Sequence, residues 1–476
     1  MKKISFGTDG WRGILARDFT FANVELVARA VADYLRAHGM ARRGLVVGYD
    51  NRFLSEQFAA AVAGVMAGRG IPVYLTRRAT PTPVVAFAVR HYRAAGAVML
   101  TASHNPPEYN GFKFIPDYAG PALPHITGEI EERIRALQAA GPDSGRPGAG
   151  EPAGGEAAAP VEEIDPFEDY VRHIAGLVDL AAIGRAGLAV AVDPMYGAGV
   201  GYLDEILRRA GARVRAIRNH RDPLFGGGLP EPTARTLGEL REMVVRGGAV
   251  LGLALDGDAD RFGIIDKNGE FIAPNQFLPL LYHHLLTLRG LKGPAARTVA
   301  TTHLLDRMAE KNGQEVMETP VGFKYIGQCL HEKGAILGGE ESGGLSIAGH
   351  VPEKDGILAG LLAAEMVAAR GKGLTELLEE IYAEYGRVVS ERLDIHTTEQ
   401  EKERVLATLH TVRPESLAGR KVTGLVTVDG LKILLEDGSW TLIRPSGTEP
   451  LFRIYVEAAA PEAMREIQNA VRKILE

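Results

Sequence analysis

The chain has 476 residues, 46% of them apolar and 24% charged, and a net charge of -6. At about 100–200 residues per domain, that length holds several globular domains, and the composition excludes a wholly disordered chain. The acidic balance argues against a broad nucleic-acid footprint, and the single cysteine, Cys329, excludes both an internal disulfide and a CxxC metal site.

Taken in chain order, the first segment is a glycine-rich stretch, Gly7 to Gly13 (GTDGWRG), carrying Arg12. The leading MKKISFGTDGWRG has no apolar run of the signal-peptide kind, so a cytoplasmic location is expected. A helix is predicted over Thr20–His38, with Val24, Val27, Val31 and Leu35 on one face and Gly39 as a stop. Leu45–Asp50, Ala97–Leu100, Leu188–Asp193 and Leu251–Asp256 read as buried strands. Residues 141–160 hold Gly and Pro with almost no large apolar side chain, which predicts a flexible linker. Asp266–Pro274 reads as a hairpin turn. The greasiest stretch, Ile357–Ala369, contains Glu365 and is too short to span a bilayer. Past Tyr385 the texture turns strand-rich, over 422–436 and 439–457, with Asp437-Gly438 as a turn and a closing helix over 461–475.

Strand–helix alternation at this spacing predicts α/β units with mixed, largely parallel sheets. The expected organisation is an α/β domain over 1–140, the linker 141–160, α/β domains over 161–270 and 271–385, and a smaller α+β domain over 386–476. In such sheets, ligands bind beyond the carboxyl ends of the strands.

Four further loops follow apolar strands and carry chemistry. Thr101 to Pro107 (TASHNPP) offers Ser103 on a stiff loop as a nucleophile or phosphate carrier, although the same residues also make an ordinary polar turn. Lys113 follows in NGFK and offers a positive charge, or a proton if its pKa is depressed. In Asp256-Gly257-Asp258-Ala259-Asp260-Arg261, alternate side chains of an extended loop share a side, so three carboxylates converge. Without a cation they would have to take up protons; oxygen-only ligands suit Mg²⁺. The spacing fits neither an EF-hand, which needs Gly at position six, nor a DxDx[TV] phosphatase. Gly338 to Gly344 (GGEESGG) places Glu340 and Ser342 two apart, suited to vicinal sugar hydroxyls, with Lys354 just downstream. Arg444, Ser446, Gly447 and Thr448 in RPSGTEP make a phosphate cradle or a β-turn. No P-loop and no intact GxGxxG is present, which leaves nucleotide binding without support.

In chain order, GTDGWRG, TASHNPPEYNGFK, DGDADR, GGEESGG and RPSGTEP resemble the active-site loops of the α-D-phosphohexomutase family, which includes phosphoglucomutases and phosphomannomutases. The resemblance runs from residue 7 to residue 450. It implies four domains around a central cleft and a phosphoserine at Ser103. It also implies Mg²⁺ held by Asp256, Asp258, Asp260 and the Ser103 phosphate, and Arg261 steadying the transferring group. Arg12, His104 and Lys113 would surround the proton-transfer site, Glu340 and Ser342 would read the sugar, and Arg444, Ser446, Gly447 and Thr448 would clamp the non-reacting phosphate. The implied partners are small sugar phosphates, with a hexose 1,6-bisphosphate as activator. No nucleic acid or membrane partner is expected, and the expected state is a monomer or homodimer.

Within the family, GEES and Pro320 to Lys324 (PVGFK) look more like glucose-type members than GEMSGH or GEQSGH enzymes, and Gly344 stands where a histidine is common. The reading is therefore a phosphoglucomutase. The alternatives are a phosphomannomutase or dual-specificity enzyme, a metal-dependent sugar phosphatase, and a non-catalytic sugar-phosphate-binding protein.

Overall fold

The computed structural model describes residues 4–7, 9–140, 158–445 and 451–475. They form two compact units: Met1–Ala273 with Gly322–Gly334 and Ser342–Thr375, and Pro274–Val321 with Ala335–Glu341 and Glu376–Glu476.

The first unit is built on two sheets. Strands β1 (Trp11–Ile14), β2 (Leu45–Tyr49), β3 (Val73–Thr76), β4 (Gly96–Leu100), β5 (Tyr109–Pro116) and β6 (Val161–Ile164) lie in the order β1-β5-β4-β2-β3-β6. The strands β4, β2, β3 and β6 run parallel, whereas β5 is antiparallel to both β4 and β1. The second sheet contains β7 (Ala189–Asp193), β8 (Arg213–Ala216), β9 (Leu251–Leu255), β10 (Phe262–Asp266) and β11 (Phe271–Ile272), in the order β11-β10-β9-β7-β8. Here β9, β7 and β8 are parallel, and β10 is antiparallel to β9 and β11. Every residue of β4 and β9 is buried, as the unbroken apolar runs require of strands covered on both faces.

The first predicted helix spans Phe21–Ala37; the Thr20 hydroxyl caps it by accepting from the Asn23 N–H, and Gly39 follows at φ +69°. Its stripe of Val24, Val27, Val31 and Leu35 packs in one core with Phe58, Val62 and Ile130. Burying each such side chain is worth about 1.5–3 kcal/mol.

Two segments sit elsewhere than their place in sequence suggests. Residues 141–157 of the expected linker lie outside the described residues, but 158–160 already follow the first sheet: Ala159 N–H donates to Ala67 O, and Pro160 O accepts from Val73 N–H. The next strand, β6, pairs parallel with β3, so residues 161–164 complete the first sheet rather than opening a second. The apolar stretch Ile357–Ala369 lies in the helix Gly356–Arg370, which packs against β9 and β10 of the second sheet and is buried from Gly356 to Val367. Burial on all sides as far as Val367 explains its unbroken greasiness. No helix among the described residues is long and apolar enough to cross a membrane. Cys329 is buried in the helix Phe323–Glu332, and burial raises its thiol pKa.

In the second unit, the strand Ala295–Thr298 lies between parallel Val316–Thr319 and Leu337–Gly339. The C-terminal strands form one sheet, in the order Val389–His396, Leu451–Ala458, Trp440–Pro445, Leu431–Leu435, Arg420–Val426 and Ser416–Leu417. The expected Asp437-Gly438 turn is present, with Gly438 at φ +81° and Leu435 N–H donating to Ser439 O. Ile467 and Val471 of the closing helix Pro461–Leu475 enter this core.

Candidate active site

Two hairpin tips in the first unit carry the chemistry. Residues 101–108 join β4 to β5, and residues 256–261 join β9 to β10. Each tip therefore extends the carboxyl end of a central buried strand, where open α/β sheets place their ligands.

Ser103 lies at the first tip, 2% exposed, with a left-handed backbone at φ +52°. That conformation is costly for a non-glycine residue. Its N–H donates to Thr101 Oγ1 at 2.9 Å. Its Oγ donates to Asp256 Oδ2 at 2.8 Å and lies 3.2 Å from His104 Nδ1. The tips meet closely because Gly257 has no side chain; a Cβ there would overlap Ser103 O. Burial, together with the Arg261 and Arg12 guanidiniums, holds the His104 imidazole well below its ordinary pKa. Arg12 projects from β1 and donates to Asn105 Oδ1 of the same loop.

Asp256, Asp258 and Asp260 converge as expected, with ligand atoms all within 4.8 Å of one another. The route differs from the extended loop that alternation predicts. Ala259 is left-handed at φ +60° and its N–H donates to Asp256 O, so a tight turn gathers the carboxylates. All three are buried.

Lys113, on β5, points into this cluster. Its Nζ lies 2.8 Å from Asp258 Oδ2, 3.0 Å from Asp260 Oδ2 and 2.8 Å from Asp9 Oδ2. Lys354 stands beside it, 3.1 Å from Asp9 and 3.2 Å from Asp260. Burial alone would lower the Lys113 pKa, but Asp258, Asp260 and Asp9 outweigh it and hold the ammonium well above its ordinary value. The depressed pKa that a proton-donating lysine needs is therefore not found; Lys113 is a fixed cation. Burial would likewise raise Asp258, yet Lys113 holds it low, whereas Asp256, facing Asp258 and Asp260 without that lysine, is pushed up by burial and by both neighbours. Glu353, buried next to Lys354, is raised to about 7 by burial.

The donor set suits a hard divalent cation. Lys113 occupies Oδ2 of Asp258 and Asp260, while Oδ1 of each is buried without a hydrogen-bond partner. Oxygen-only ligands of this charge fit Mg²⁺.

Arg12, Ser103, His104, Lys113, the three aspartates, Arg261 and Lys354 all belong to the first unit, as does Ser342. Gly344 bridges to Arg261, and Gly343 O accepts from Phe262 N–H, so the end of GGEESGG adjoins the aspartate loop. Glu340 and Arg444 belong to the second unit. Glu340 is buried after the strand Leu337–Gly339. Arg444 ends the strand Trp440–Pro445, its Nε donating to Asp429 Oδ2 at 2.9 Å. Ser446, Gly447 and Thr448 lie outside the described residues.

Sequence reasoning passed over Asp9, Glu353 and Arg52. Asp9 stands inside GTDGWRG and Glu353 next to Lys354, so both lie within motifs whose cations carry the more evident signal. Arg52 follows Asp50 at the end of β2, another strand closed by an aspartate, and that recurrence was the available signal.

Comparison with known proteins places these loops in context. The family descriptions Phosphoglucomutase/phosphomannomutase alpha/beta/alpha domains I, II and III match residues 3–140, 168–269 and 273–385, and the C-terminal domain of the same family matches 350–474. A Thermococcus kodakarensis protein named phosphoglucomutase/phosphomannomutase is 34% identical, covering 99% of this chain and 98% of its own. A Methanothermobacter thermautotrophicus protein named as a phosphoglucosamine mutase is also 34% identical, covering 99% and 97%. A Thermus thermophilus crystal structure described as a phosphomannomutase superposes with a TM-score of 0.84 at 38% identity, covering 99% of both chains.

Proposed function

The chain belongs to the α-D-phosphohexomutase family, and on that premise we propose that it interconverts hexose 1-phosphates and hexose 6-phosphates, glucose first, through a phosphoserine at Ser103. One observation carries the reading: Ser103 Oγ, buried on a left-handed hairpin tip, is 2.8 Å from Asp256 of a converging aspartate triad.

In the proposed reaction, Ser103 gives its phosphoryl group to the free hydroxyl of a bound hexose monophosphate. The serine O–P bond breaks, the sugar O–P bond forms, and a hexose 1,6-bisphosphate results. The hydroxyl proton passes to the serine oxygen that the phosphoryl group leaves, with His104 Nδ1, 3.2 Å from Ser103 Oγ, as its carrier. After the bisphosphate turns over, Ser103 takes back the phosphoryl group from the other end, His104 returns the proton, and the isomeric monophosphate leaves. Asp256, Asp258, Asp260 and the Ser103 phosphate would hold Mg²⁺, which when bound neutralises charge on the phosphoryl group. Phosphoryl transfer asks chiefly for positioning and charge neutralisation. Arg261, Arg12 and Lys113 add fixed positive charge. Glu340 and Ser342, with Lys354, read the sugar hydroxyls, and Arg444 with Ser446, Gly447 and Thr448 grips the phosphate that does not react. A hexose 1,6-bisphosphate primes the serine. The preference for glucose rests on GEES and PVGFK, since relatives of equal identity carry phosphoglucosamine mutase names as well.

The test is Ser103→Ala. Intact-mass measurement after incubation with glucose 1,6-bisphosphate should find one added phosphate on the wild type and none on the variant, with turnover lower by orders of magnitude. A variant as active as the wild type removes Ser103 from the reaction.

A further inference from the structure

We propose that Arg52 is the positioning residue that sets the pose of Ser103, by binding the carbonyl face of the loop that carries it. The proposal rests on the reading of Ser103 as the phosphoryl carrier.

The loop 101–108 includes Pro106 and Pro107, which have no N–H. The segment forms only turn bonds of its own, Asn105 N–H to Ala102 O and Tyr109 N–H to Pro106 O, and buried carbonyls outside a ladder need further donors. Arg52 supplies them. Its Nη2 donates to Ser103 O and Asn105 O, each at 2.6 Å, and its Nη1 donates to Pro106 O at 2.8 Å and Tyr109 O at 3.0 Å. Its Nε lies 3.2 Å from Asp50 Oδ2, and neither of these two side chains is exposed. Asp50 is itself held, its Oδ1 accepting from Ser55 Oγ and Arg52 N–H. One face of the guanidinium lies 4.9 Å from the centre of the Phe225 ring, which comes from the segment after β8. Both terminal nitrogens are thus committed to four carbonyls within seven residues, the first of them that of Ser103.

Only a planar fork can do this. A lysine keeps the charge for Asp50 but concentrates three donors at one point and cannot reach four separated carbonyls. Arg52 makes no hydrogen bond to Ser103 Oγ or to an aspartate of the triad; Asp258 and Asp256 feel its charge, which a lysine would keep, so what the fork itself adds passes through the backbone of the loop. Ser103 is left-handed at φ +52°, a conformation that persists only where its surroundings impose it. Releasing its carbonyl frees the loop to relax and moves Oγ away from Asp256 and His104.

The experiment compares wild type with Arg52→Lys in three readouts: thermal midpoint, hydrogen exchange of peptides spanning 101–113, and steady-state kinetics with glucose 1-phosphate under glucose 1,6-bisphosphate priming. The expected result is faster exchange in 101–113 and a kcat lower by about 100-fold, the cost of a displacement near 1 Å, with KM little changed. A lowered thermal midpoint with wild-type loop exchange and wild-type kcat per folded molecule overturns the proposal and leaves Arg52 as core packing. Should Arg52→Lys fail to fold, Phe225→Leu makes the same comparison. It removes the ring beneath the guanidinium and keeps every hydrogen-bond partner, with an expected loss in kcat of up to about tenfold; unchanged exchange and kcat there also overturn the proposal. If the wild type neither turns over nor takes up phosphate, the mutase reading falls, and the exchange comparison alone decides whether Arg52 holds the loop.

Discussion

Lys113 sits between two carboxylates that would otherwise face each other in a buried cluster, 2.8 Å from Asp258 and 3.0 Å from Asp260. Breaking a buried pair of this kind costs about 3–5 kcal/mol, because the remaining charges keep their desolvation penalty and lose their partner. Lys113→Met should therefore lower the thermal midpoint in the presence of a chelator. Saturating Mg²⁺ should restore more stability to the variant than it adds to the wild type, since a ligand at 100 times its Kd contributes about 2.7 kcal/mol. Equal midpoints in chelator, or a variant that gains nothing from Mg²⁺, contradict this account of the cluster. The aspartates are legible in the sequence because they stand in a loop after an apolar run, and Lys113 because NGFK follows closely on the serine loop. Asp9 was not, because its role depends on Gly10, at φ +94°, fitting against β5 where a Cβ would come 2.7 Å from Phe112 O.

The helix Gly356–Arg370 brings a second cluster to one end. Asp355 caps it by accepting from Leu358 N–H and also accepts from Tyr170 Oη at 2.6 Å. His350 Nε2 lies 2.8 Å from the same carboxylate, and His350 Nδ1 lies 2.9 Å from His173 Nε2. Burial, with His350 and Arg90 nearby, pushes the His173 pKa down to about 4. Its folded pKa is below its unfolded value, so the unfolded chain binds more protons between about pH 6.5 and 4. The stability it contributes is present above that window and is lost as the pH falls through it. His173→Asn should lose less thermal midpoint than the wild type between pH 7 and 4.5; parallel profiles would contradict the assignment. Elements of this kind are legible where apolar patterning decides them, as in the helical stripe of Phe21–Ala37 or the unbroken run of β9. Their partners were not legible: nothing in Val161–Ile164 says that it pairs with β3, and nothing in Ile357–Ala369 says that it covers β9 and β10. Apolar patterning reports that a face is buried and is silent on which sheet buries it.

Across the whole molecule, the serine and aspartate loops occupy equivalent positions. Each joins a central strand that is parallel to one neighbour and antiparallel to the next, β4 to β5 in one sheet and β9 to β10 in the other. The recurrence of strands closed by an aspartate was the faint trace of this repeat in the sequence. The phosphate clamp proposed for the C-terminal loop has its own test. Arg444→Ala should raise KM and lower kcat while leaving phosphate uptake by Ser103 intact, because binding energy from a non-reacting phosphate positions the reacting end; unchanged kcat/KM per folded molecule removes that loop from the reaction. The central claim is phosphoryl transfer between two positions of one sugar. It is tested most directly by supplying Mg²⁺ and glucose 1-phosphate, with and without catalytic glucose 1,6-bisphosphate, and following glucose 6-phosphate and free phosphate together. The account predicts stoichiometric 6-phosphate, no free phosphate, dependence on the bisphosphate, and faster turnover than with mannose 1-phosphate or glucosamine 1-phosphate. Release of free phosphate in place of the 6-phosphate would contradict it.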